Sequence, residues 1–189
     1  MQNHKKYPPT PSQTVGPFFT IGLSSTDAAG GLASPVTNEI AGEGEEIRIR
    51  GRVLDGNGDP VPDAMIEIWQ ADSKGSFTNC EFMGFARSET GAGPDHCFQF
   101  KTIKPAAASN LEAPYISVIV YMRGLLTQAY TRLYFSDEAE ANSKDIVLSQ
   151  LSEARRNTLL AKSQQAADGL SYEFDIRMQG DRETVFFSV

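Results

Sequence analysis

The sequence is poor in the residues that build most metal and nucleophilic sites. Its 189 residues include two histidines and two cysteines. His4 stands in a polar N-terminal tail, so the folded part offers one imidazole, His96. A metal centre made of several histidines cannot come from one copy of this chain. Cys80 and Cys97 form no Cys-x-x-Cys pair, which excludes a zinc ribbon and a thioredoxin-type motif. Two thiols permit one bridge, but in a sequence read as leaderless they are expected to be reduced. No phosphate-binding glycine loop and no G-x-S-x-G elbow is present. Long apolar runs are missing too. The longest, around residues 116–122, falls far short of the ~20 residues of a membrane span. No apolar run follows Lys5 and Lys6, so no secretory signal is read. Positive charge is in deficit: 17 Lys+Arg against 24 Asp+Glu leave a net −7. That sign opposes attraction to nucleic acid or an anionic membrane. A soluble cytoplasmic protein is expected.

What is present reads as a globular chain, 40% hydrophobic and 22% charged. Residues 1–45 form an expected arm and loop. Pro8, Pro9, Pro11 and Pro17 forbid continuous helix there. Yet Val15, Phe18, Phe19, Ile21 and Leu23 are apolar, so the arm should pack on its own domain or on a partner subunit. From Glu46 the pattern has period two. Ile47, Ile49, Gly51 and Val53 alternate with Arg48, Arg50 and Arg52, a face that could bind an anion but in so acidic a chain is expected to be solvated or to pair with acids. Further strands are expected at 64–69, 82–87, 97–103, 115–123, 131–135, 172–179 and 183–189. Trp69 is read as core. A helical turn is expected at 137–144 and one full helix at 150–162, where Leu151, Ala154, Thr158 and Leu159 keep helical spacing. The expected fold class is all-β: an antiparallel β-sandwich over residues 46–189, an extended N-terminal arm, and that one helix.

Six strings, in order, carry a family resemblance. They are TPSQTVGPF at 10–18, GRVLDGNG at 51–58, IEIWQAD at 66–72, FKTIKP at 100–105, TRLYF at 131–135 and YEFDIR at 172–177. Together they resemble the intradiol ring-cleaving dioxygenases from about Thr10 to the C-terminus. The resemblance implies a ferric site held by two tyrosines and two histidines, with O₂ and a catechol as substrates. The first tyrosine position matches Phe77 and the second Ala108, and the histidine pair matches Tyr115 and Ser117. An arginine just upstream of that pair matches Glu112. Donors are lost at all but Tyr115 and Ser117, and two scattered oxygens do not hold Fe(III).

The resemblance therefore implies an alpha-type chain that binds no iron and pairs with an iron-bearing beta subunit. The pair would open 3,4-dihydroxybenzoate to 3-carboxy-cis,cis-muconate. It also implies that Gly16, Pro17 and Arg123 line the partner's pocket. Gly16 lets backbone approach closely, and Pro17 holds it extended. An arginine suits an aromatic carboxylate. The plainer reading of Arg123 is an arginine tied to Asp or Glu. Phe18 stands where the family has a tyrosine. A second reading is an iron-free module that binds an aromatic carboxylate.

Overall fold

The computed structural model describes residues 8–21, 23–24, 36–91, 93–166 and 169–188. His4, Lys5 and Lys6, most of the 26–44 loop's first half, and Asp168 lie outside the described residues. Among the described residues nine strands form one sheet. They are β1 Glu46–Leu54, β2 Met65–Gln70, β3 Phe85–Glu89, β4 Cys97–Ile103, β5 Tyr115–Tyr121, β6 Ala129–Phe135, β7 Leu160–Ala166, β8 Gly169–Glu173 and β9 Ile176–Arg177. Their spatial order is β3-β2-β5-β6-β7-β8-β1-β4, with β9 on the end of β1. The free edges, β3 and β4, approach each other where Gln99 N–H donates to Ser88 Oγ at 3.1 Å. The sheet is thus nearly closed.

Alternation explains the strands. β1 buries Ile47, Ile49, Gly51 and Val53, as its period-two pattern requires. Gly51 is needed for close approach: a Cβ there would lie 1.8 Å from the Phe174 carbonyl oxygen. Ile66 and Ile68 of β2, Ile116, Val118 and Val120 of β5, and Phe98 and Phe100 of β4 join the same core. A smaller cluster of Ala113, Tyr134, Leu148, Leu159 and Val185 lies beside it. The arginine face of β1 pairs with acids as expected. Arg50 meets Asp95, and Arg52 Nη2 lies 2.7 Å from Asp175 Oδ2. Cys80 and Cys97 are free.

The all-β class stands, but the sheet is mixed rather than antiparallel. β1 runs parallel to β8 and β9, and β6 parallel to β7. Parallel pairs need long crossovers, and strands distant in sequence leave no local sign of who pairs with whom. The expected helix at 150–162 is also corrected. Only α2, Glu153–Arg156, is helical, followed by a 3-10 turn at Asn157–Leu159 and then by β7. Sheet pairing of Tyr134 with Leu160 and Phe135 with Ala161 takes the end of that segment, and a helix this short has little stability of its own. The helical turn expected at 137–144 is α1, Ala139–Lys144. The 172–179 strand is broken between β8 and β9. The 183–188 segment makes one bridge, Tyr130 to Phe187. Trp69 is not core: it is 42% exposed, because its pleat faces away from Ile68. No helix among the described residues is long and apolar enough to cross a membrane.

Candidate functional site: a filled pocket and an arm corner

β5 buries Ile116, Val118 and Val120, which leaves Tyr115 and Ser117 on its other face. Register brings β6 residues to the same face, with Ser117 opposite Arg132 and Tyr115 opposite Tyr134. The Arg132 guanidinium carbon lies 3.9 Å from the Tyr115 ring centroid, a stacked cation. Its Nη1 donates to Glu112 Oε1 and to the Tyr134 hydroxyl, both at 3.2 Å. Tyr134 in turn donates to Asp145 Oδ1 at 3.5 Å. Asp145 is fully buried but well satisfied. Oδ1 accepts from Val147 and Leu148 N–H, and Oδ2 from Ala113 N–H, all at 2.8 Å. Burial pushes the Tyr115 phenol up and raises Tyr134 to about 12.

The 72–79 loop closes the other side. Asp72 Oδ1 accepts from Lys74 N–H at 2.9 Å and Ser76 N–H at 2.8 Å, while Oδ2 accepts from Asn79 Nδ2 at 2.9 Å. The Ser76 bond first, then Asn79, holds this carboxyl below the usual range. Gly75, at φ +83°, presses on the neighbouring chain: a Cβ there would sit 2.2 Å from the Ala107 carbonyl oxygen and 3.4 Å from the Ala108 Cα. Phe77 then faces Tyr115 at 6.3 Å between ring centroids. The fold thus gathers Phe77, Ala108, Tyr115 and Ser117 in one region. They do not fit ferric iron. Two of the four carry no side-chain donor, and a paired cation already covers the Tyr115 ring. Glu112, Arg132, Tyr134 and Asp145 were not singled out as a group from the sequence. Only the β5–β6 register, which no local pattern encodes, brings Arg132 to Tyr115.

The three remaining sequence-predicted positions lie at another corner. Arg123 sits in the turn after β5, where its Nε meets Asp63 Oδ2. The two Asp63 oxygens are buried and carry no aligned hydrogen bond, so Arg123 supplies the countercharge. The next residue, Gly124, donates its N–H to Thr14 Oγ1 of the arm at 2.8 Å. Two residues further on is Gly16, which opens a turn through Pro17 and Phe18. Nothing lies within 4 Å of a Cβ placed on Gly16, and Phe18 is 75% exposed. Gly16, Pro17 and Arg123 are thus held near one another and open to solvent.

Comparison with known proteins decides the family. A family model described as Dioxygenase matches residues 16–113. The alpha chain of protocatechuate 3,4-dioxygenase from Burkholderia cepacia is 46% identical over 191 residues, covering 95% of this chain and 97% of that one. The alpha chain from Pseudomonas putida is 40% identical, covering 95% and 96%. This chain belongs to the intradiol dioxygenase family. Within that family it is an alpha-type subunit. The beta chain of the Burkholderia enzyme is also similar, at 29% identity over 72% of this chain and 66% of that one. Among solved structures, the dioxygenase domain of a carbohydrate-binding fusion protein from Streptomyces sp. SirexAA-E shares the fold. Its TM-score is 0.56 at 22% identity, covering 98% of this chain and 96% of that one. Catechol 1,2-dioxygenase from Pseudomonas arvilla C-1 gives a TM-score of 0.56 at 16% identity, over 78% and 59%.

Proposed function

We propose that this chain is the iron-free alpha subunit of a cytoplasmic protocatechuate 3,4-dioxygenase. It pairs with an iron-bearing beta subunit and completes that subunit's pocket for 3,4-dihydroxybenzoate. The observation that carries the reading is Arg132 stacked on Tyr115 and paired with Glu112, a cation and its counter-ion where the resemblance implies a metal. The ferric ion of the beta subunit supplies the activation of the catechol toward O₂, with 3-carboxy-cis,cis-muconate as the product. The work of this chain is binding and shape. Gly16 and Pro17 present narrow backbone to the partner. Arg123 offers a guanidinium to the substrate carboxylate. The apolar arm residues Phe18, Ile21 and Leu23 are exposed and suit burial against a second subunit. The reading of an iron-free module for an aromatic carboxylate finds less support, because the exposed apolar residues of the arm suit burial in a partner rather than a free monomer.

The test is iron content and visible absorbance. Chain purified alone is expected to be colourless and free of iron. Co-expression with a beta-type chain should give a coloured, active complex with one iron per alpha–beta pair. Iron and colour on the isolated chain would overturn the reading.

A further inference from the structure

A cleft of about 490 Å³ opens among β1, β7, β8, β9, the 154–158 segment and the 182–184 segment. That volume lies in the range of small-molecule sites. Arg52, Lys162, Arg177 and Arg182 bring four positive charges to it, against two negative charges from Glu173 and Asp175. Asp175 is already committed to Arg52. Its Oδ1 accepts from Arg52 N–H at 3.0 Å and from Nε at 3.2 Å, and its Oδ2 accepts from Nη2 at 2.7 Å. Glu173 Oε2 accepts from Gln164 Nε2 at 3.2 Å. Among the described residues no ion pair engages Lys162, Arg177 or Arg182. Lys162 stands opposite Glu173 in the β7–β8 register, so Arg177 and Arg182 are the two uncommitted cations, and in a chain of net −7 they concentrate anions in this concavity. Leu160 and Ala154 add apolar surface, while the Phe174 ring is turned into the core.

We propose that this cleft binds a small di- or tricarboxylate. Its carboxylates meet the forks of Arg177 and Arg182 and the Lys162 ammonium, and its carbon skeleton lies on Leu160 and Ala154. Two guanidinium forks favour planar carboxylates, which accept paired hydrogen bonds. Inorganic phosphate shares the charge but makes no use of the apolar wall. The site is separate from the Arg132 face and from the Arg123 corner, with which it shares no lining residue. It does not depend on the proposed catalytic role.

The experiment is calorimetric titration of citrate into the alpha–beta complex at constant ionic strength. Saturation at one citrate per alpha chain is expected. Arg177→Ala and Arg182→Ala should each weaken binding about tenfold or more, and Lys162→Met by less. Phosphate at the same ionic strength should displace citrate poorly. Arg182 is exposed, so its variant decides the matter if Arg177→Ala fails to fold. Three results would overturn the proposal: no saturable heat, unchanged affinity in Arg182→Ala, or phosphate displacing citrate as well as citrate itself does.

Discussion

Arg132 joins Glu112, Tyr115 and Tyr134 through one guanidinium. Removing it leaves Glu112 in a half-buried place without its partner. Both side chains keep about a quarter of their surface exposed, so the cost is well below that of a fully buried pair. Arg132→Leu is expected to lose about 1–2 kcal/mol in denaturant unfolding. Glu112→Gln alone should lose less, and the double variant should recover part of the Arg132→Leu loss, which a double-mutant cycle would read. Gly51→Ala tests packing instead. Its new Cβ meets a backbone oxygen that cannot rotate away, so about 3 kcal/mol of stability should go. Substitution at Phe77 and Ala108 was legible in the sequence, because the strings before them, IEIWQAD and FKTIKP, fix their place. Arg132 was not, since its own string, TRLYF, says nothing about which face of β6 meets Tyr115. The commitment of Arg123 to Asp63 was foreseen as a type of contact, but Asp63 lies 60 residues away in sequence and could not be named as the partner.

At the scale of elements, strands with strict alternation were legible and β7 was not. β1 and β5 bury every second residue. β7 buries only Ala161, so its sequence, LAKSQQA, shows no strand period. The residues before it kept helical spacing and drew the helix reading. Tertiary pairing settled the matter, helped by Thr158, whose hydroxyl donates to Arg155 O at 2.8 Å and accepts from Val185 N–H at 3.2 Å. A clasp binds three further elements. Lys104, after β4, reaches Asp137 at 2.8 Å and Glu138 at 2.7 Å just before α1, and Tyr172 of β8 donates to Asp137 Oδ2 at 2.9 Å. Burial opposes the Asp137 charge, but the Lys104 and Tyr172 bonds outweigh it and hold its carboxyl below the usual value. A carboxyl depressed on folding stabilises above its unfolded pKa of about 4 and loses that contribution as pH falls through its folded value. Burial raises the Tyr172 phenol to about 12. That contribution is present below about 10, the unfolded phenol value, and is lost as pH rises through about 12. Asp137→Asn should therefore flatten the acid limb of a melting-temperature profile below about pH 4. An acid limb as steep in the variant as in the parent would remove the clasp from the account.

The whole molecule is a nearly closed sheet with an arm tied to one corner. Thr14 anchors the arm beside Arg123, while Phe18 beyond it stays exposed. The corner thus presents a guanidinium and an uncovered apolar segment together, which suits the proposed completion of a neighbour's pocket. Arg123 has one contact within the chain and one proposed role to separate from it. It neutralises Asp63 within the chain, and in the proposed complex it meets the substrate's carboxylate. Arg123→Lys keeps a positive charge near Asp63 but loses the planar fork. In the alpha–beta complex this variant should hold the parent's melting temperature within about 2 °C. Its KM for 3,4-dihydroxybenzoate should rise about tenfold, with kcat changing little, as expected when a binding contact is lost equally from ground and transition states. Catechol itself, which lacks the carboxylate, should be turned over equally by parent and variant. A matching KM rise for catechol would mean that Arg123 only shapes the corner. An unchanged KM for the carboxylated substrate would confine its role to Asp63.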